Sequence, residues 1–273
     1  MPKSPTELME AAGITLAGSA PWGDPPQLGE PGCYIIALSP DPDTKEGRGE
    51  APISSDQVAA LLEVRPELRL DGSRPTTAEL SGRISSFWLP DEPVLYVGLA
   101  GTSVAKRAND YYRTPLGARS PHSGGWFLKT LHNLHGLWVH YGSCSDPDDA
   151  EAKALRAFAV GVSESARRQL HDPERVMPFA NLEYPKGARK RHGVTGAREP
   201  RGASPRSPKP PASEPRAPVR PSVPVDSVTP HLSTQRVTAA DIGAGRIRIP
   251  VTTKPAVSTE KAQITVGLRG ERL

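Results

Sequence analysis

The sequence predicts an α/β protein of the α+β kind, with a small central sheet of three strands, mixed or antiparallel, flanked by helices. Three short apolar runs are typical of buried strands: residues 33–38, 94–99 and 137–141. Apolar side chains recur at helical spacing in the segments around them, and several of these segments begin with Ser, Thr or Asp, which cap helix N-termini. Ten prolines fall from Pro200 to Pro230, so compact structure is expected to end before them.

An insert separates the first two strands and is predicted to be a small helical subdomain over residues 39–91. Helices are expected at 55–68, with Pro66 near the end, and at 76–87. The chain has to leave the sheet after the first strand and return to it at the second strand without separating the two strands. Three roles stay open for it: contacting nucleic acid, contacting a partner, or covering a site.

The remaining helices follow from caps and apolar spacing. Residues 1–29 are predicted to be an N-terminal extension, with a short helix at 6–12 and then a Gly/Pro-rich approach to the first strand. Asp146-Pro147 predicts a helix start, because Asp caps well and Pro is tolerated in the first turn. After the second strand, helices are predicted over residues 102–112, 126–135, 147–161 and 163–171.

The C-terminal part of the chain differs in charge and composition. Residues 1–187 carry 18 Lys/Arg and 24 Asp/Glu, whereas 188–273 carry 16 and six. A disordered Pro/Arg-rich linker is predicted over 193–230, because such a composition buries too little apolar surface to offset chain entropy. A short basic β segment is predicted at 231–273. The basic tail is suited to a polyanion such as nucleic acid, and the alternative is a solvated linker that uses arginine.

Composition also predicts the compartment. The two cysteines, Cys33 and Cys144, have no metal-ligand spacing and no disulfide framework, which fits a reducing cytosol. No apolar run approaches the roughly 20 residues that span a bilayer, and the first residues lack a signal-peptide pattern. We therefore expect a cytoplasmic protein, free or associated with the nucleoid, with no membrane partner.

Two of the predicted helices carry candidate reactive side chains. Glu151 shares a helix stripe with Leu155 and Phe158, and an inward-facing carboxylate needs a partner, either a divalent cation or a buried arginine. The alternative is that Glu151 lies at the edge of this stripe and needs none. Arg107 and Tyr111 lie at i and i+4 on one helix. A guanidinium binds phosphate oxygens in a bidentate manner, and the alternative is an exposed basic helix face.

Two tyrosines lie on the first two strands, in Gly32-Cys33-Tyr34 and in Tyr96-Val97-Gly98. Core aromatic packing is the ordinary explanation for each of them. An asparagine follows much later, in Pro178-Phe179-Ala180-Asn181.

The ordered set of these side chains resembles the catalytic module of the GIY-YIG nuclease superfamily over roughly residues 30–185. The matching residues are Tyr34, Tyr96, Arg107, Tyr111, Glu151 and Asn181. Two longer strings, FWLPDEPVLYVGLAGTSVAKRANDYYRTPLGAR and MPFANLEYPKGARKRHG, are similar to those of an actinobacterial-type branch of the superfamily.

The resemblance implies a catalytic domain over residues 30–192 that hydrolyses DNA phosphodiesters with one divalent metal ion, Mg²⁺ or Mn²⁺. It implies that Glu151 holds the metal near the leaving oxygen, that Tyr34 assists deprotonation of the attacking water, and that Arg107 stabilises the phosphorane-like state. Asn181 is implied to support the site. Restriction or defence, mobile-element biology and repair are the settings that such an endonuclease serves.

Two departures from the family pattern stand out. Sixty-two positions separate Tyr34 from Tyr96, far more than in the compact family hairpin, and Tyr111 stands where many members have His.

Alternatives to the DNA endonuclease are a non-catalytic nucleic-acid-binding or scaffold protein on the same fold, and a protein whose substrate is RNA. The oligomeric state stays open, because a palindrome cutter needs a dimer or two encounters.

Candidate nucleic-acid contacts flank the catalytic residues. His122 lies in a Gly-rich loop whose N–H groups can face a phosphate, with a plain turn as the alternative. A basic cluster directly after the asparagine motif is suited to the DNA backbone, or else is a charged exit into the linker. It comprises Lys186, Arg189, Lys190 and Arg191.

Overall fold

The computed structural model describes residues 1–122, 124–184 and 187–200, all within one compact unit, Met1–Lys209. The greater part of the predicted linker, beyond residue 200, and the predicted β segment at 231–273 lie outside the described residues. Within the described ranges, no helix is long and apolar enough to cross a membrane.

The core of the protein is a four-stranded antiparallel sheet with the spatial order β1-β5-β2-β4. This confirms the predicted α+β class, and the three predicted strands are β2, β4 and β5. The strands in chain order are β1 (Gly18–Pro21), β2 (Gly32–Ala37), β3 (Arg69–Leu70), β4 (Val94–Ala100), β5 (Trp138–Ser143), β6 (Glu183–Tyr184), β7 (Ala188–Arg189) and β8 (Val194–Thr195).

The helices largely begin where a capping side chain accepts a backbone N–H, as at Thr76, Ser103 and Asp146. They are α1 (Pro5–Ala11), α2 (Ser55–Val64), α3 (Thr77–Ser85), α4 (Val104–Arg113), α5 (Pro147–Gly161) and α6 (Glu164–Gln169). The predicted single helix at 126–135 is wrong. Two 3-10 helices, Trp126–Thr130 and Leu134–Gly136, replace it, because Asn133 between them has a φ of 45°.

Helices cover both faces of the sheet. On one face α1 and α5 pack over Cys33, Ile35 and Val97. On the other face α2 and α3 pack over Tyr34 and Ile36. The insert is therefore helical, as predicted, but its helices form one layer of the core rather than a separate subdomain.

The N-terminal residues belong to the same core. Leu8 and Met9 of α1 are fully buried, and β1 pairs with β5 along its whole length. The sequence did not predict β1, because Gly-Ser-Ala-Pro lacks the β-branched and aromatic residues that mark strands. Tertiary pairing, rather than local propensity, makes this segment a strand.

The packed chain also extends beyond the predicted boundary at residue 193. Strand β8 pairs with β3, and the Arg65 side chain donates to the carbonyl oxygens of Gly196 and Arg198 at 3.2 Å and 3.0 Å. Val194 and Ala197 are buried. The predicted linker start is therefore wrong. We call residues 188–199 the C-terminal strap.

Candidate active site

A cleft of about 1050 Å³ opens beside β4, an edge strand of the sheet. Four of the predicted catalytic residues line it: Tyr96 from β4, Arg107 from α4, Glu151 from α5, and Asn181. The C-terminal strap supplies much of the remaining lining. The fold thus brings together side chains from three elements and a loop that are far apart in sequence.

Glu151 lies on the first turns of α5 and is partly buried. Its carboxylate has no hydrogen bond or ion pair with any residue that the structure describes. Burial raises the pKa of Glu151 to about 7, nearby Asp148 adds to the rise, and Arg107 opposes it. A bound cation would offset the free-energy cost of this desolvation, because it stabilises the charged form of the carboxylate.

Arg107 faces the same cleft. Its guanidinium forms no ion pair or hydrogen bond within the described ranges, although its charge acts on Tyr34, Tyr96 and Glu151. The preceding Lys106 instead pairs on the helix surface with Asp110, at 2.6 Å. Helix α4 therefore directs one basic side chain, Lys106, outward and another, Arg107, into the cleft.

Three tyrosines pack against one another behind and along the cleft. Ring centroids are 6.0 Å apart for Tyr34 and Tyr96, and 5.4 Å apart for Tyr96 and Tyr111. Burial raises the pKa of all three phenols, so each is protonated at neutral pH. Tyr96 lines the cleft, whereas Tyr34 and Tyr111 lie behind it, each with about 1% of its surface exposed.

Glycine makes this packing possible. Gly98 lies opposite Tyr34 in the β2–β4 register. A Cβ on Gly98 would lie 2.5 Å from the Tyr96 ring and 2.7 Å from the Tyr34 ring, closer than carbon atoms approach without displacement. The Tyr-x-Gly spacing in the sequence thus has a steric cause.

His122 is buried, with 2% of its surface exposed, and touches the tyrosines rather than solvent. Its Nε2 lies 3.1 Å from Tyr34 Oη, and its ring stacks on Tyr111 at 4.1 Å with an interplanar angle of 4°. Burial, followed by the charge of Arg107, lowers the pKa of His122 to about 3. The prediction that His122 contacts nucleic acid is wrong, because the ring does not reach the surface.

Asn181 is bound to the backbone of β4. Its side-chain amide accepts from the Val97 N–H and donates to the Val97 carbonyl oxygen. The neighbouring Ala180 N–H donates to Leu95 O at 2.8 Å, so this segment covers the open edge of β4. Asn181 thereby fixes the cleft wall next to Tyr96.

The basic cluster divides into exposed and buried members. Arg189 and Arg191 are exposed, line the cleft, and pair with acidic side chains, Glu183 at 3.6 Å and Glu174 at 2.8 Å. Lys186 lies outside the described residues.

Lys190 is not placed to contact a nucleic acid. It is buried, and its ammonium donates to Pro178 O and Phe179 O at 3.0 Å and 2.9 Å, above the ring of Phe87. Burial lowers the pKa of Lys190 to about 7. The predicted phosphate contact at this position is wrong, and the residue instead anchors the strap to the segment that carries Asn181.

Sequence reasoning missed Arg119 and residues 193–198 of the strap, which line the cleft. Arg119 donates through Nε to Glu199 O at 2.6 Å and adds a cation to the cleft lining. Arg119 begins the same loop, Arg119–Trp126, that contains His122. Its closeness in sequence to this candidate residue was the signal that could have marked it as part of the site. Residues 194–198 gave no signal, because they precede a Pro-rich stretch and contain no long apolar run.

Among the residues that the structure describes, no group of three or more His, Cys, Asp and Glu side chains is arranged to hold a metal ion. A magnesium ion held by one carboxylate, waters and a substrate phosphate needs no such group. Glu151 fits that kind of site, because its carboxylate is desolvated and unpaired within the described ranges.

The chain matches no protein-family model, no curated protein and no solved structure. Its function is therefore inferred from the cleft and its chemistry.

Proposed function

We propose that the protein is a divalent-metal-dependent DNA endonuclease that hydrolyses phosphodiester bonds in the cleft beside β4. One observation carries the proposal: a desolvated carboxylate, Glu151, and an arginine, Arg107, face the same cleft without partners of their own in the described structure. Charged groups that are left unpaired inside a protein raise its free energy. A ligand that pairs with both the carboxylate and the guanidinium is therefore favoured.

A phosphodiester with a divalent cation is such a ligand. Arg107 would bind two phosphate oxygens through its planar guanidinium and stabilise charge that develops during attack. Glu151 would hold Mg²⁺ or Mn²⁺, which when bound supplies electrostatic stabilisation to the phosphate and the leaving oxygen. Asn181 would keep this wall of the cleft in place through its two bonds to Val97.

Cations around the cleft favour a polyanion over a small phosphate ester. Arg119, Arg189 and Arg191 line it together with Arg107. Contacts of this kind position a nucleic-acid backbone without reading its sequence. The ordered residues that resemble the GIY-YIG superfamily support the same assignment, and restriction or defence is the setting we favour.

A second candidate is a nucleic-acid-binding protein without turnover. The protonation state of the buried rings favours it: Tyr34, Tyr96 and Tyr111 are all protonated at neutral pH, and burial keeps His122 neutral behind them. None of the three phenols is thus a ready base at neutral pH. Turnover would then need a base other than these side chains.

Supercoiled plasmid incubated with purified protein and Mg²⁺ or Mn²⁺ tests the proposal. We expect nicked or linear product from the wild type and from Glu10→Ala, an exposed acidic position on α1. We expect none from Glu151→Ala or with EDTA. Plasmid left intact while duplex DNA still binds at low salt would favour the non-catalytic candidate, and cleavage of RNA alone would change the substrate.

A further inference from the structure

A histidine on the C-terminal strap, His192, lines the cleft and is partly buried there. The strap itself fixes the tautomer of this histidine, because the Val194 N–H donates to His192 Nδ1 at 3.0 Å. A ring nitrogen that accepts from a backbone N–H carries no proton of its own. In the neutral ring the one proton is therefore on Nε2.

Three parts of the fold hold this ring in place. It packs against Trp126 and Phe127 of the first 3-10 helix, with ring centroids at 6.3 Å and 5.6 Å. Its backbone is bound on both sides, since Arg83 of α3 donates to His192 O at 3.1 Å and the His192 N–H donates to Lys190 O at 3.0 Å. The position of Nε2 is thus set before any ligand arrives.

The Nε2–H group is the part of the ring that is left for a ligand. It makes no hydrogen bond with any residue that the structure describes. A donor that is partly withdrawn from water and has no protein partner gains free energy from an acceptor in the cleft.

The charges around His192 favour an anionic acceptor. Burial, followed by the positive charges of Lys190, Arg198 and Arg83, lowers the pKa of His192 to about 4. The two rings that it meets from the 3-10 helix carry no charge. The imidazole is therefore neutral at physiological pH, and the same positive potential that disfavours a second proton attracts a negatively charged group.

We propose that His192 Nε2 donates to a phosphate oxygen of a nucleic-acid backbone bound in the cleft, as a neutral contact beside the cationic Arg189 and Arg191. The inference rests on the proposed function, since it requires that the cleft takes a nucleic acid. The contact serves binding rather than the chemical step, because no hydrogen bond within the described ranges joins His192 to Arg107 or Glu151.

The protonation state is measured on the full protein without nucleic acid, by ¹⁵N NMR of histidine-labelled protein. The His192 signals are assigned by their loss in His192→Gln. We expect a protonated Nε2 and an unprotonated Nδ1 across about pH 6 to 8, because the neutral ring has one proton. A proton on Nδ1, or a doubly protonated ring, would overturn the proposal.

The contact itself is tested by binding of a fluorescein-labelled duplex DNA oligonucleotide in EDTA, which prevents metal-dependent cleavage. His192→Phe keeps a ring against Trp126 and Phe127 but has no donor. We expect it to bind about tenfold more weakly than the wild type, as for loss of a hydrogen bond to a charged group. His135→Phe is the matched control, since His135 is exposed and does not line the cleft. Equal affinities for the two variants would overturn the proposal.

Salt dependence separates a neutral donor from a cation. Loss of one arginine–phosphate contact lowers the slope of log affinity against log salt concentration by about 0.9, because fewer counterions are released. His192→Phe should instead weaken binding by the same factor at every salt concentration and leave the slope unchanged. A slope that falls by about 0.9 would show that His192 binds as a cation, and would overturn the proposal.

A second substitution separates the donor from the ring. His192→Gln keeps an N–H donor at the end of the side chain but loses the ring. The proposal requires tighter DNA binding by His192→Gln than by His192→Phe, with circular dichroism checking that both variants are folded. The reverse order would show that His192 acts only by packing.

Failure of this inference differs from failure of the proposed function. Plasmid cleavage by the wild type, with equal DNA affinities for His192→Phe and His135→Phe, would overturn the inference and leave the endonuclease intact. DNA that binds but is not cleaved with Mg²⁺ or Mn²⁺ would overturn the endonuclease alone, and the affinity comparison would still decide on His192. No binding of DNA or RNA by the wild type would overturn both.

Discussion

The side chain of Asn181 hydrogen-bonds both backbone groups of Val97, accepting from its N–H at 2.9 Å and donating to its carbonyl oxygen at 2.8 Å. Val97 lies on β4, the edge strand next to the cleft. An amide in this position satisfies the edge as a neighbouring strand would, and covered edges resist pairing with other chains. One side chain therefore holds the sheet edge and the cleft wall at Val97.

Asn181→Ala should lower the free energy of unfolding by about 1 to 3 kcal/mol, because it leaves two backbone groups at a buried site unsatisfied. Urea unfolding followed by circular dichroism measures the loss. Gln169→Ala, at an exposed position on α6, is the control. Equal stabilities for the two variants would show that the Val97 bonds contribute nothing net.

Gly98→Ala should destabilise the protein by about 1 to 3 kcal/mol and displace the tyrosine rings, because the added Cβ meets both Tyr34 and Tyr96. Gly101→Ala is the matched control, since a Cβ there meets no atom within 4 Å. Thermal unfolding compares the two. A Gly98 variant as stable as the Gly101 variant would mean that the tyrosine pair is not tightly packed.

Glu151→Gln should become more stable than the wild type as the pH rises. The pKa of Glu151 is raised from 4.5 to about 7 in the folded protein, so its contribution to stability is present below about pH 4.5 and is lost as the pH rises through about 7. Without metal, we expect the variant to gain about 2 kcal/mol over the wild type between about pH 5 and 8.

Glu10→Gln is the control for this pH dependence, because Glu10 is exposed. Added Mg²⁺ should stabilise the wild type at about pH 8 and leave Glu151→Gln unaffected, since a ligand that binds the folded state stabilises it. A difference between wild type and variant that stays constant with pH would contradict the desolvation of Glu151.

Lys190→Met should change the pH dependence in the opposite direction. The pKa of Lys190 is lowered from 10.5 to about 7, so its contribution to stability is present above about pH 10.5 and is lost as the pH falls through about 7. The stability of the wild type relative to the variant should therefore rise from about pH 7 to 10. Urea unfolding over this range, beside exposed Lys153→Met, measures it, and a flat difference would contradict the burial of the ammonium.

Local signals in the sequence were enough to predict much of the sheet and most helices. Apolar runs marked β2, β4 and β5, and caps such as Thr76 and Asp146 marked helix starts. Strand β1 and strand β8 of the C-terminal strap were missed, because both are held by pairing with distant segments rather than by their own propensity.

Part of the candidate site was also predictable from the sequence. Residue chemistry and order placed Tyr96, Arg107, Glu151 and Asn181 in one candidate set, and the fold brings them to one cleft. Burial was not predictable from local composition. A lysine in a basic run looks exposed in sequence, yet Lys190 lies beneath Pro178 and Phe179 and acts as an internal anchor.

A double-substitution cycle on single-turnover plasmid cleavage tests the central claim that Arg107 and Glu151 form one phosphodiester site. We expect Arg107→Ala and Glu151→Ala each to lower the rate at least about 100-fold, and the double variant to be little slower than the slower single variant. Arg113→Ala on the exposed surface of α4 is the control. Single variants that cleave at the rate of Arg113→Ala would contradict the claim, as would a wild type that cleaves no DNA with Mg²⁺ or Mn²⁺.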